Sequence, residues 1–355
     1  MSKKILVAMS GGVDSSAAAL LIKNMVYELG GITMRVWSDI ENVPEGDTVT
    51  QDDNCSDARV VCDALGIPHH IVSYGETFRK NVVDRFIDDY IKGLTPNPCV
   101  ECNRTIKFGK LYFSARELGY DALATGHYAK IVKTESGSYL LKCAEDKGKD
   151  QSYFLWAINK ELLPYVLFPL GEYTKSQIRD ITNNAGLPSA HRADSQDICF
   201  IKDGDYVSFI KQRRASLPSE GSFVDIDGNV IGRHQGIINY TVGQRKGLGV
   251  AFGQPMFVRE KNAVNNTVTL STDAQLYKDT LVANRVNFLV DESFERPTRV
   301  QAKIRYRHAP ASATVQMTDE GILSVRFDLP QRAIAAGQSV VLYDGDTVLG
   351  GGIIQ

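Results

Sequence analysis

One stretch decides the fold: Lys4-Ile5-Leu6-Val7-Ala8-Met9-Ser10-Gly11-Gly12-Val13-Asp14-Ser15-Ser16. Its short apolar run, Ile5–Met9, predicts a buried strand. The two glycines allow a sharp turn because they carry no Cβ, and Asp14–Leu29 predicts a helix that ends at Gly30. A strand that turns directly into a helix leaves unpaired backbone N–H groups at the positive helix end, which predicts an anion-binding site.

The polar residues of this turn favour phosphate over no ligand at all. Ser10, Ser15 and Ser16 add hydroxyl groups on both sides of the glycines, whereas a bare Gly-Gly turn would indicate only a connection. The Walker pattern is absent, since no lysine follows the glycines. The core Ser10–Ser15 resembles the PP-loop of the N-type ATP pyrophosphatases. That resemblance implies cleavage of ATP between the α and β phosphates, and it leaves GMP synthetase, NAD synthetase, argininosuccinate synthase and tRNA thiolases open.

Composition indicates a globular protein of two or three domains. The chain has 355 residues, of which 43% are hydrophobic and 23% charged. No apolar run approaches the roughly 20 residues that span a bilayer, and the N-terminus has no signal peptide, so we expect a cytoplasmic protein without a membrane partner. The formal net charge of −2 means that any contact with nucleic acid must be local. Six cysteines without a secretory signal indicate reduced thiols.

The first part of the chain alternates strands and helices. Such alternation predicts an α/β fold with an open parallel sheet. The predicted strands are Ile5–Met9, Gly31–Trp37, Ile71–Tyr74 and Asp121–Thr125, and the predicted helices after the first are Ser56–Leu65, Glu76–Leu94, Lys107–Leu118 and one opened by a capping box at Thr174. Ligands of such sheets lie at the carboxyl ends of the strands, where Ser10, Met34 and Gly126 fall.

Beyond residue 205 the pattern changes to short alternating strands. Asp227-Gly228 and Asp344-Gly345 predict hairpin turns. We therefore expect three domains: a catalytic α/β domain at 1–205, a small central β domain at 206–275, and a C-terminal β-barrel at 276–355.

Three cysteines are candidates for chemistry. Cys99 and Cys102 form a C-x-x-C motif after Thr95-Pro96-Asn97-Pro98, which predicts a loop, and Cys199 lies far along the chain. A structural zinc site needs four ligands, and no second cysteine pair is present. A thioredoxin-like role is disfavoured because the motif is not expected to open a helix. Cys62 and Cys143 are typical of buried thiols.

Several further motifs are similar to a single family. They are Thr95-Pro96-Asn97-Pro98, Cys102-Asn103, Ala124-Thr125-Gly126-His127-Tyr128, Lys149-Asp150-Gln151-Ser152-Tyr153, Ile198-Cys199-Phe200-Ile201, Gly243-Gln244-Arg245-Lys246-Gly247-Leu248-Gly249 and Leu349-Gly350-Gly351-Gly352-Ile353-Ile354. On these motifs the chain resembles the bacterial tRNA-specific 2-thiouridylases along essentially its whole length. The resemblance implies a PP-loop domain, a central β domain and a C-terminal barrel. It also implies thiolation of the wobble uridine in tRNAs for Lys, Glu and Gln.

The resemblance also implies a mechanism. ATP with Mg²⁺ would adenylate the uracil C2 oxygen. Sulfur would arrive as a persulfide on Cys199 from a cysteine desulfurase or a sulfur carrier protein, and Cys102 would act as nucleophile, leaving a Cys102–Cys199 disulfide. That bond requires the two Cα atoms to come within about 6 Å of each other. We expect Arg104 and Lys107 to lower the thiol pKa.

The resemblance assigns site residues by position. ATP would contact Ala8, Met9, Ser10, Gly11, Gly12, Val13, Asp14, Ser15, Met34 and Gly126. The target base would meet Asn97, Pro98 and Cys99, and tRNA would contact His127, Lys149, Asp150, Gln151, Arg305, Tyr306 and Gln338. Taken alone, Lys303-x-Arg305-x-Arg307 is more typical of a solvated strand face, although Tyr306 between the arginines favours RNA. No set of metal ligands is predicted.

Position 99 departs from the family pattern. Many members carry an aspartate there as the proposed acid/base, and Cys99 cannot supply a carboxylate. Either Cys99 is a simple substitution and the persulfide route is unchanged, or Cys99, Cys102 and Cys199 bind an iron–sulfur cluster with one open iron. Two rival functions also remain: an ammonia-using ligase such as GMP synthetase, which would not need the cysteines, and a non-catalytic tRNA-binding or sulfur-carrying protein, which would not need ATP.

Overall fold

A five-stranded parallel sheet forms the first part of the protein. The computed structural model describes residues 3–25, 27–36, 55–190, 192, 198–201, 204–250 and 253–355. The sheet order is β3-β2-β1-β4-β7, with β1 at Lys4–Ala8, β2 at Glu28–Arg35, β3 at His69–Ser73, β4 at Ala122–Ala124 and β7 at Val166–Leu167. Strand β1 is central because its apolar residues Ile5, Leu6 and Val7 are fully buried between β2 and β4. The predicted α/β fold is confirmed.

Helices cover this sheet and lead into the central part of the chain. They are α1 (Val13–Lys23), α2 (Ser56–Leu65), α3 (Gly75–Phe78), α4 (Arg85–Ile91), α5 (Pro98–Cys102), α6 (Tyr112–Glu117), α7 (Lys175–Asn184) and α8 (Tyr206–Arg213). Two π-helical segments, Arg79–Asp84 and Asn103–Leu111, join α3 to α4 and α5 to α6. Short 3₁₀ helices lie at Ser152–Phe154, Lys160–Tyr165, Ile237–Asn239 and Asp273–Leu276.

Two helix predictions were wrong. Helix α1 ends at Lys23 instead of Leu29, because Glu28 and Leu29 are already paired with Lys4 and Ile5 in the sheet. The cysteine motif lies on α5 instead of a loop. Pro98 occupies the first turn of that helix, where its missing N–H leaves no helical hydrogen bond unmade. The Cys99-x-x-Cys102 motif therefore does open a helix, contrary to expectation.

The central part of the chain forms a small four-stranded sheet after α8, a helix that the strand pattern did not predict. Its strands are β8 (Gly221–Val224), β9 (Val230–His234), β10 (Phe257–Asn262) and β11 (Thr267–Ser271), in the order β10-β11-β8-β9. The predicted turn at Asp227-Gly228 joins β8 to β9 and is confirmed. The Oδ1 atom of Asp225 accepts hydrogen bonds from the N–H groups of Asp227 and Asn229, which fixes this turn.

The C-terminal part closes into a barrel. Its strands are β12 (Tyr277–Phe288), β13 (Thr298–Lys303), β14 (Ala311–Met317), β15 (Leu323–Arg332), β16 (Ser339–Asp344) and β17 (Thr347–Ile354). They follow the order β12-β15-β14-β13-β16-β17, and pairing of β12 with β17 closes the ring. The predicted turn at Asp344-Gly345 joins β16 to β17. The barrel prediction is confirmed, while the three domain boundaries stay predictions.

A hairpin from the first part of the chain joins the barrel sheet. Strands β5 (Ala129–Lys133) and β6 (Tyr139–Cys143) pair with each other, and β6 meets β17 where Lys142 is opposite Thr347. The Cys143 N–H donates to the carbonyl of Asp346 at 2.7 Å. This pairing was not predicted, and it connects the α/β part directly to the barrel. Over the ranges that the structure describes, no helix is both long and apolar enough to cross a membrane.

Candidate active site

The glycine turn lies at the carboxyl end of β1 and opens α1. Gly11 has a φ of +74°, and a Cβ placed on it would lie 2.5 Å from the Cβ of Asp57. Glycine is therefore required both for the backbone conformation and for the close approach of α2. Gly12 precedes the first helical residue, Val13, in extended conformation. This geometry aims the N-terminus of α1 at the space beyond the sheet edge, as a phosphate site requires.

The three serines of the turn have different roles. The Ser16 hydroxyl is fully buried and donates to the carbonyl of Gly12 at 2.9 Å, so it holds the first helical turn. The Ser15 hydroxyl donates to the same carbonyl at 3.1 Å and accepts from the N–H of Ser10 at 3.2 Å. Ser10 is exposed. Its hydroxyl lies 3.2 Å from that of Ser15, at the mouth of the turn.

A lysine reaches the turn from another element. The Lys175 Nζ lies 2.7 Å from Oδ1 of Asp14, and the Tyr128 hydroxyl donates to the same oxygen at 2.8 Å. Lys175 is the first residue of α7, whose capping box, Thr174 with Gln177, is confirmed. Sequence reasoning missed Lys175 because the capping box places it at a helix start but says nothing about a partner 161 residues away.

A second loop meets the first across the sheet edge. Strand β4 lies beside β1 and ends at Ala124, so Gly126 follows at the same carboxyl edge. A Cβ on Gly126 would lie 2.8 Å from the carbonyl carbon of Asp14, which shows how closely the two loops approach. Met34, partly buried near the end of β2, lies on the other side of β1. The predicted ATP residues on β1, β2 and β4 therefore share one edge of the sheet.

The charge of one lysine, Lys107, acts on three cysteine thiols. Cys99 and Cys102 are three residues apart on α5 and share a face. Cys199 lies in a turn that is anchored by the neighbouring Phe200, whose ring packs 5.7 Å from that of Phe78. None of these three cysteines is in a disulfide bond.

The thiol pKa values are shifted by two opposing effects. Desolvation by the surrounding protein raises the pKa of Cys102 to about 12, and it also raises the pKa values of Cys99 and Cys199, although both of these residues keep part of their surface exposed. The Lys107 ammonium opposes burial and lowers the pKa of all three thiols. Lys107 acts in the expected direction, but the pKa of each thiol still lies above its usual value because desolvation is the larger effect. The expectation for Arg104 is wrong, because its guanidinium pairs with Glu101 at 2.7 Å.

His127 links this lysine to the Gly126 loop. Its side chain is buried, and its pKa is lowered well below the usual value, first by burial and then by the charge of Lys107. The neutral ring accepts from Lys107 at Nε2 over 3.3 Å, since an ammonium can only donate. Nδ1 then carries the proton and donates to the Thr125 hydroxyl at 2.7 Å. The thiol group and the glycine turn are thereby parts of one site.

An iron–sulfur cluster requires several thiolates that converge on it. In the part of the chain that the structure describes, which includes Cys99, Cys102 and Cys199, no group of three or more His, Cys, Asp or Glu side chains is placed to hold a metal ion. The iron–sulfur cluster on Cys99, Cys102 and Cys199 stays a prediction.

The predicted tRNA-contact residues fall into two groups. In the first, Asp150 is buried and its carboxylate accepts from the Ala144 N–H and from the Ser152 hydroxyl, so it holds its own loop together. The Gln151 side-chain oxygen accepts from the N–H of Tyr128 at 3.0 Å, which places the Lys149–Gln151 loop next to His127. The Lys149–Gln151 loop therefore lies next to the candidate active site.

Tyr306 and Arg305 lie in the turn after β13, close to the same loop. The Tyr306 ring packs 4.5 Å from the Phe154 ring. Burial raises the Tyr306 pKa, and the charges of Asp150 and Lys149 act on it as well. The Arg305 Nη2 donates to the carbonyl of Arg332 at 3.0 Å, so part of the guanidinium group is already hydrogen-bonded within the barrel.

The other group surrounds the start of α5. Pro98 is buried, Asn97 is half-buried and Cys99 is exposed. Gln338, between β15 and β16, donates from Nε2 to the carbonyl of Thr95 at 2.8 Å. The barrel therefore fixes the proline-containing segment that precedes the cysteines. The roles of these residues in contacting the target base and the tRNA stay predictions.

Comparison with known proteins agrees with this geometry. A family model described as "tRNA methyl transferase HUP domain" matches residues 3–203, one described as a PRC-barrel domain of the same name matches 207–272, and an "Aminomethyltransferase beta-barrel domain" matches 278–354. Among solved structures, NMN synthetase from Francisella tularensis matches with a TM-score of 0.32 and 17% identity over 55% of this chain and 67% of that chain, a likeness too weak to carry an argument.

Two curated relatives match over nearly their full length. The tRNA-specific 2-thiouridylase MnmA of Clostridioides difficile (strain 630) is 47% identical over 100% of this chain and 99% of its own length. The protein of the same name from Acetivibrio thermocellus is 45% identical over 99% of each chain. Together with the PP-loop, the cysteines and the three-part architecture, these matches show that the chain belongs to the tRNA-specific 2-thiouridylase family.

Proposed function

We propose that the protein catalyses ATP-dependent 2-thiolation of the wobble uridine in tRNAs for Lys, Glu and Gln. One observation carries the proposal: the charge of Lys107 acts on three cysteine thiols, and His127 connects that lysine to the edge where the glycine turn lies. An ammonia-using ligase needs the glycine turn without the thiols, and a sulfur carrier needs the thiols without the turn. The names of the relatives point to the same chemistry.

Activation of the base is the first step of the proposed reaction. The turn at Ser10–Ser15 and the start of α1 would hold the β and γ phosphates of ATP, with Lys175 beside them and Asp14 as the carboxylate for the accompanying Mg²⁺. The uracil C2 oxygen would attack the α phosphorus. An O–P bond forms, the bond to the β phosphate breaks, and pyrophosphate leaves. The C2 oxygen has then become part of a good leaving group.

Sulfur transfer follows from a persulfide on Cys199. The Cys102 thiolate would attack the inner sulfur of that persulfide, forming the Cys102–Cys199 disulfide and releasing hydrosulfide. Hydrosulfide then attacks C2, and AMP leaves with the original oxygen. A thiol reductant resets the disulfide. Lys107 would stabilise the thiolate, because it is the cation that lowers the thiol pKa values against burial.

The partners follow from this chemistry. The target base would enter next to Asn97, Pro98 and Cys99 after leaving the anticodon stack, as enzymes that modify bases require. The remaining tRNA would contact the predicted residues His127, Lys149–Gln151, Arg305, Tyr306 and Gln338. The persulfide sulfur would come from a cysteine desulfurase or a sulfur carrier protein. Cys99 has no step in this route.

The test is mass analysis of tRNA nucleosides after incubation with ATP, a cysteine desulfurase, cysteine and a thiol reductant. The expected product is 2-thiouridine. Cys102→Ser and Cys199→Ser should abolish it, whereas Cys99→Ser and the control Cys143→Ser, whose sulfur lies beside the Ser152 hydroxyl, should retain it. Absence of 2-thiouridine with the intact protein, or full activity of Cys199→Ser, would refute the proposal.

A further inference from the structure

A buried carboxylate lies between the two cysteines of α5 and collects three arginines. The Glu101 side chain is only 10% exposed. Its Oε2 lies 2.7 Å from Nη2 of Arg104 and 3.2 Å from Nη1 of Arg85, and its Oε1 lies 3.1 Å from Nη2 of Arg285. Arg85 comes from α4, Arg104 from the π-helical segment and Arg285 from β12 of the barrel. Three separate elements thus converge on one carboxylate.

The cluster carries an excess of positive charge. Glu101 can neutralise one of the three guanidinium groups, and Asp89, 3.8 Å from Arg85, can neutralise a second. Among the residues that the structure describes, one positive charge is left over, beside Arg104 and Arg285. A guanidinium has five N–H donors, so a single contact with Glu101 leaves both arginines with donor capacity. Arg104 is 43% exposed and Arg285 is 35% exposed, which leaves their outer edges accessible.

Both arginines line a cavity. It has a volume of about 220 Å³ and is bounded by Glu101, Arg104, Arg285 and parts of Trp156 and Asn287. A single water needs about 15 Å³ of such space, so the cavity is large enough for a group of several heavy atoms. The Asn287 amide is used within the protein, since Nδ2 donates to the carbonyl of Trp156 at 2.7 Å. The donors facing the cavity are therefore the guanidinium groups.

Arg285 is held in an unfavourable backbone conformation. Its φ is +51°, in the left-handed region that side chains other than glycine rarely adopt. It lies where the pairing of β12 with β17 shifts register between Asn284 and Asn287. Such strain persists where the surrounding structure enforces it, and it concentrates at ligand-binding positions. Bulges of this kind redirect a side chain, which here points to Glu101.

A second cavity connects this cluster to the predicted base site. It is lined by Asn97 and Pro98, and it shares Glu101 and Ile353 with the first cavity. We propose that the cavity between Arg104 and Arg285 binds a backbone phosphate of the tRNA, next to the nucleotide whose base enters at Asn97 and Pro98. Glu101 holds both guanidinium groups in place. The inference rests on the proposed function, because the base position comes from it.

The test is a double-mutant cycle between the protein and single phosphates. Binding of tRNA anticodon stem–loops would be measured for the intact protein, Arg285→Gln and Arg104→Gln. Each anticodon-loop phosphate would be replaced in turn by an uncharged methylphosphonate. Loss of one charge-assisted contact should weaken binding about tenfold and lower the slope of log affinity against log salt by about 1. At one position, the methylphosphonate should weaken binding of the stem–loop by the intact protein but should not weaken binding by an arginine variant.

The matched control is Arg299→Gln, which removes an arginine paired with Asp328 on the barrel surface. With Arg299→Gln, the loss of affinity caused by the substitution and the loss caused by each methylphosphonate should simply add. Coupling with either Arg285 or Arg104 supports the site, and strict additivity for both variants overturns it. Folding is checked by thermal melts, and Glu101 retains two arginine partners in each variant. Formation of 2-thiouridine by the intact protein is measured separately, so failure of the phosphate site and failure of the proposed function are distinguishable.

Discussion

At the scale of the residue, Lys107 shows what sequence can and cannot foresee about this site. Arg104 and Lys107 were both expected near the thiols because both follow Cys102 closely. The helix between them is π-helical, with hydrogen bonds between residues five apart, so residue 107 comes back under residue 102 while residue 104 points elsewhere. A π-helical segment has no sequence pattern that we could use, and the face of each side chain therefore could not be predicted.

Replacement of Lys107 by methionine should make the thiols less reactive. Lys107 lowers the pKa of Cys99, Cys102 and Cys199, so its loss raises all three and reduces the thiolate fraction at any pH below them. We expect alkylation by iodoacetamide at pH 8 to slow by about tenfold for each unit by which the pKa rises. Peptide mass mapping after timed labelling measures this rate at each cysteine.

The matched control for this prediction is Lys110→Met. Lys110 is exposed on the same π-helical segment, and the pKa shifts of the three thiols do not involve it. In this variant the three cysteines should be alkylated at the same rate as in the intact protein. Equal labelling rates in Lys107→Met and the intact protein would show that Lys107 does not act on these sulfurs.

At the scale of the element, the glycine turn was predicted well because its reasons are local. A short apolar strand, two glycines and a helix start are all written within a dozen residues, and so is the capping box of α7. Helix α5 was missed because the prolines before the cysteines suggested a loop. Pro98 favours the start of a helix because it lies in the first turn. Pro96 and Pro98 oppose a helix only in the residues upstream of them.

The turn should not tolerate a side chain at Gly11. Gly11→Ala forces alanine to a φ of +74° and drives its Cβ against Asp57 of α2. The backbone strain alone costs about 1–2 kcal/mol, and relief of the clash must displace the turn from α2. We expect a lower melting temperature and at least about tenfold weaker ATP binding, measured by calorimetry, since a displaced turn no longer aims its N–H groups at the phosphates.

Gly66→Ala is the control that isolates the contact from the strain. Gly66 ends α2 with a φ of +64°, and a Cβ there would meet nothing within 4 Å. Its melting temperature should fall by a comparable amount while ATP affinity stays unchanged. Equal ATP affinity in both variants would contradict a role of the Gly11 turn in phosphate binding.

At the scale of the whole molecule, the parts are joined by contacts that no local pattern announces. The alternation in 129–143 is compatible with a hairpin, but its pairing with β17 depends on a strand at the far end of the chain. Lys261 of β10 likewise reaches the α/β part. Its Nζ donates to the carbonyl of Leu94 at 3.2 Å and lies 5.6 Å from the centre of the Tyr90 ring.

This contact gives the assembled protein a pH dependence. Burial lowers the pKa of Lys261 to about 8, below the value near 10.4 of an unfolded lysine. Between these values the unfolded chain binds more protons, so stability rises with pH. Lys261→Met should lack this part of the rise, a difference of up to about 3 kcal/mol. Urea unfolding of both proteins from pH 7 to pH 10.5 measures the gap between them.

The gap should favour the variant at pH 7 and narrow as pH increases above 8. Lys278→Met, at an exposed position on β12, should leave the pH dependence of the intact protein unchanged. A constant difference between Lys261→Met and the intact protein across this range would mean that the lysine is not buried between the two parts.

The joint between β6 and β17 has a consequence for how the protein is made. Lys142 contacts Asp346, 204 residues later in the chain. At about 5–20 residues per second, the ribosome releases the second partner roughly 10–40 s after the first. During that interval the edge of the β5–β6 hairpin is unpaired, while the α/β part is otherwise complete. The nascent enzyme therefore has an open strand edge throughout the synthesis of its barrel, until strand β17 pairs with it.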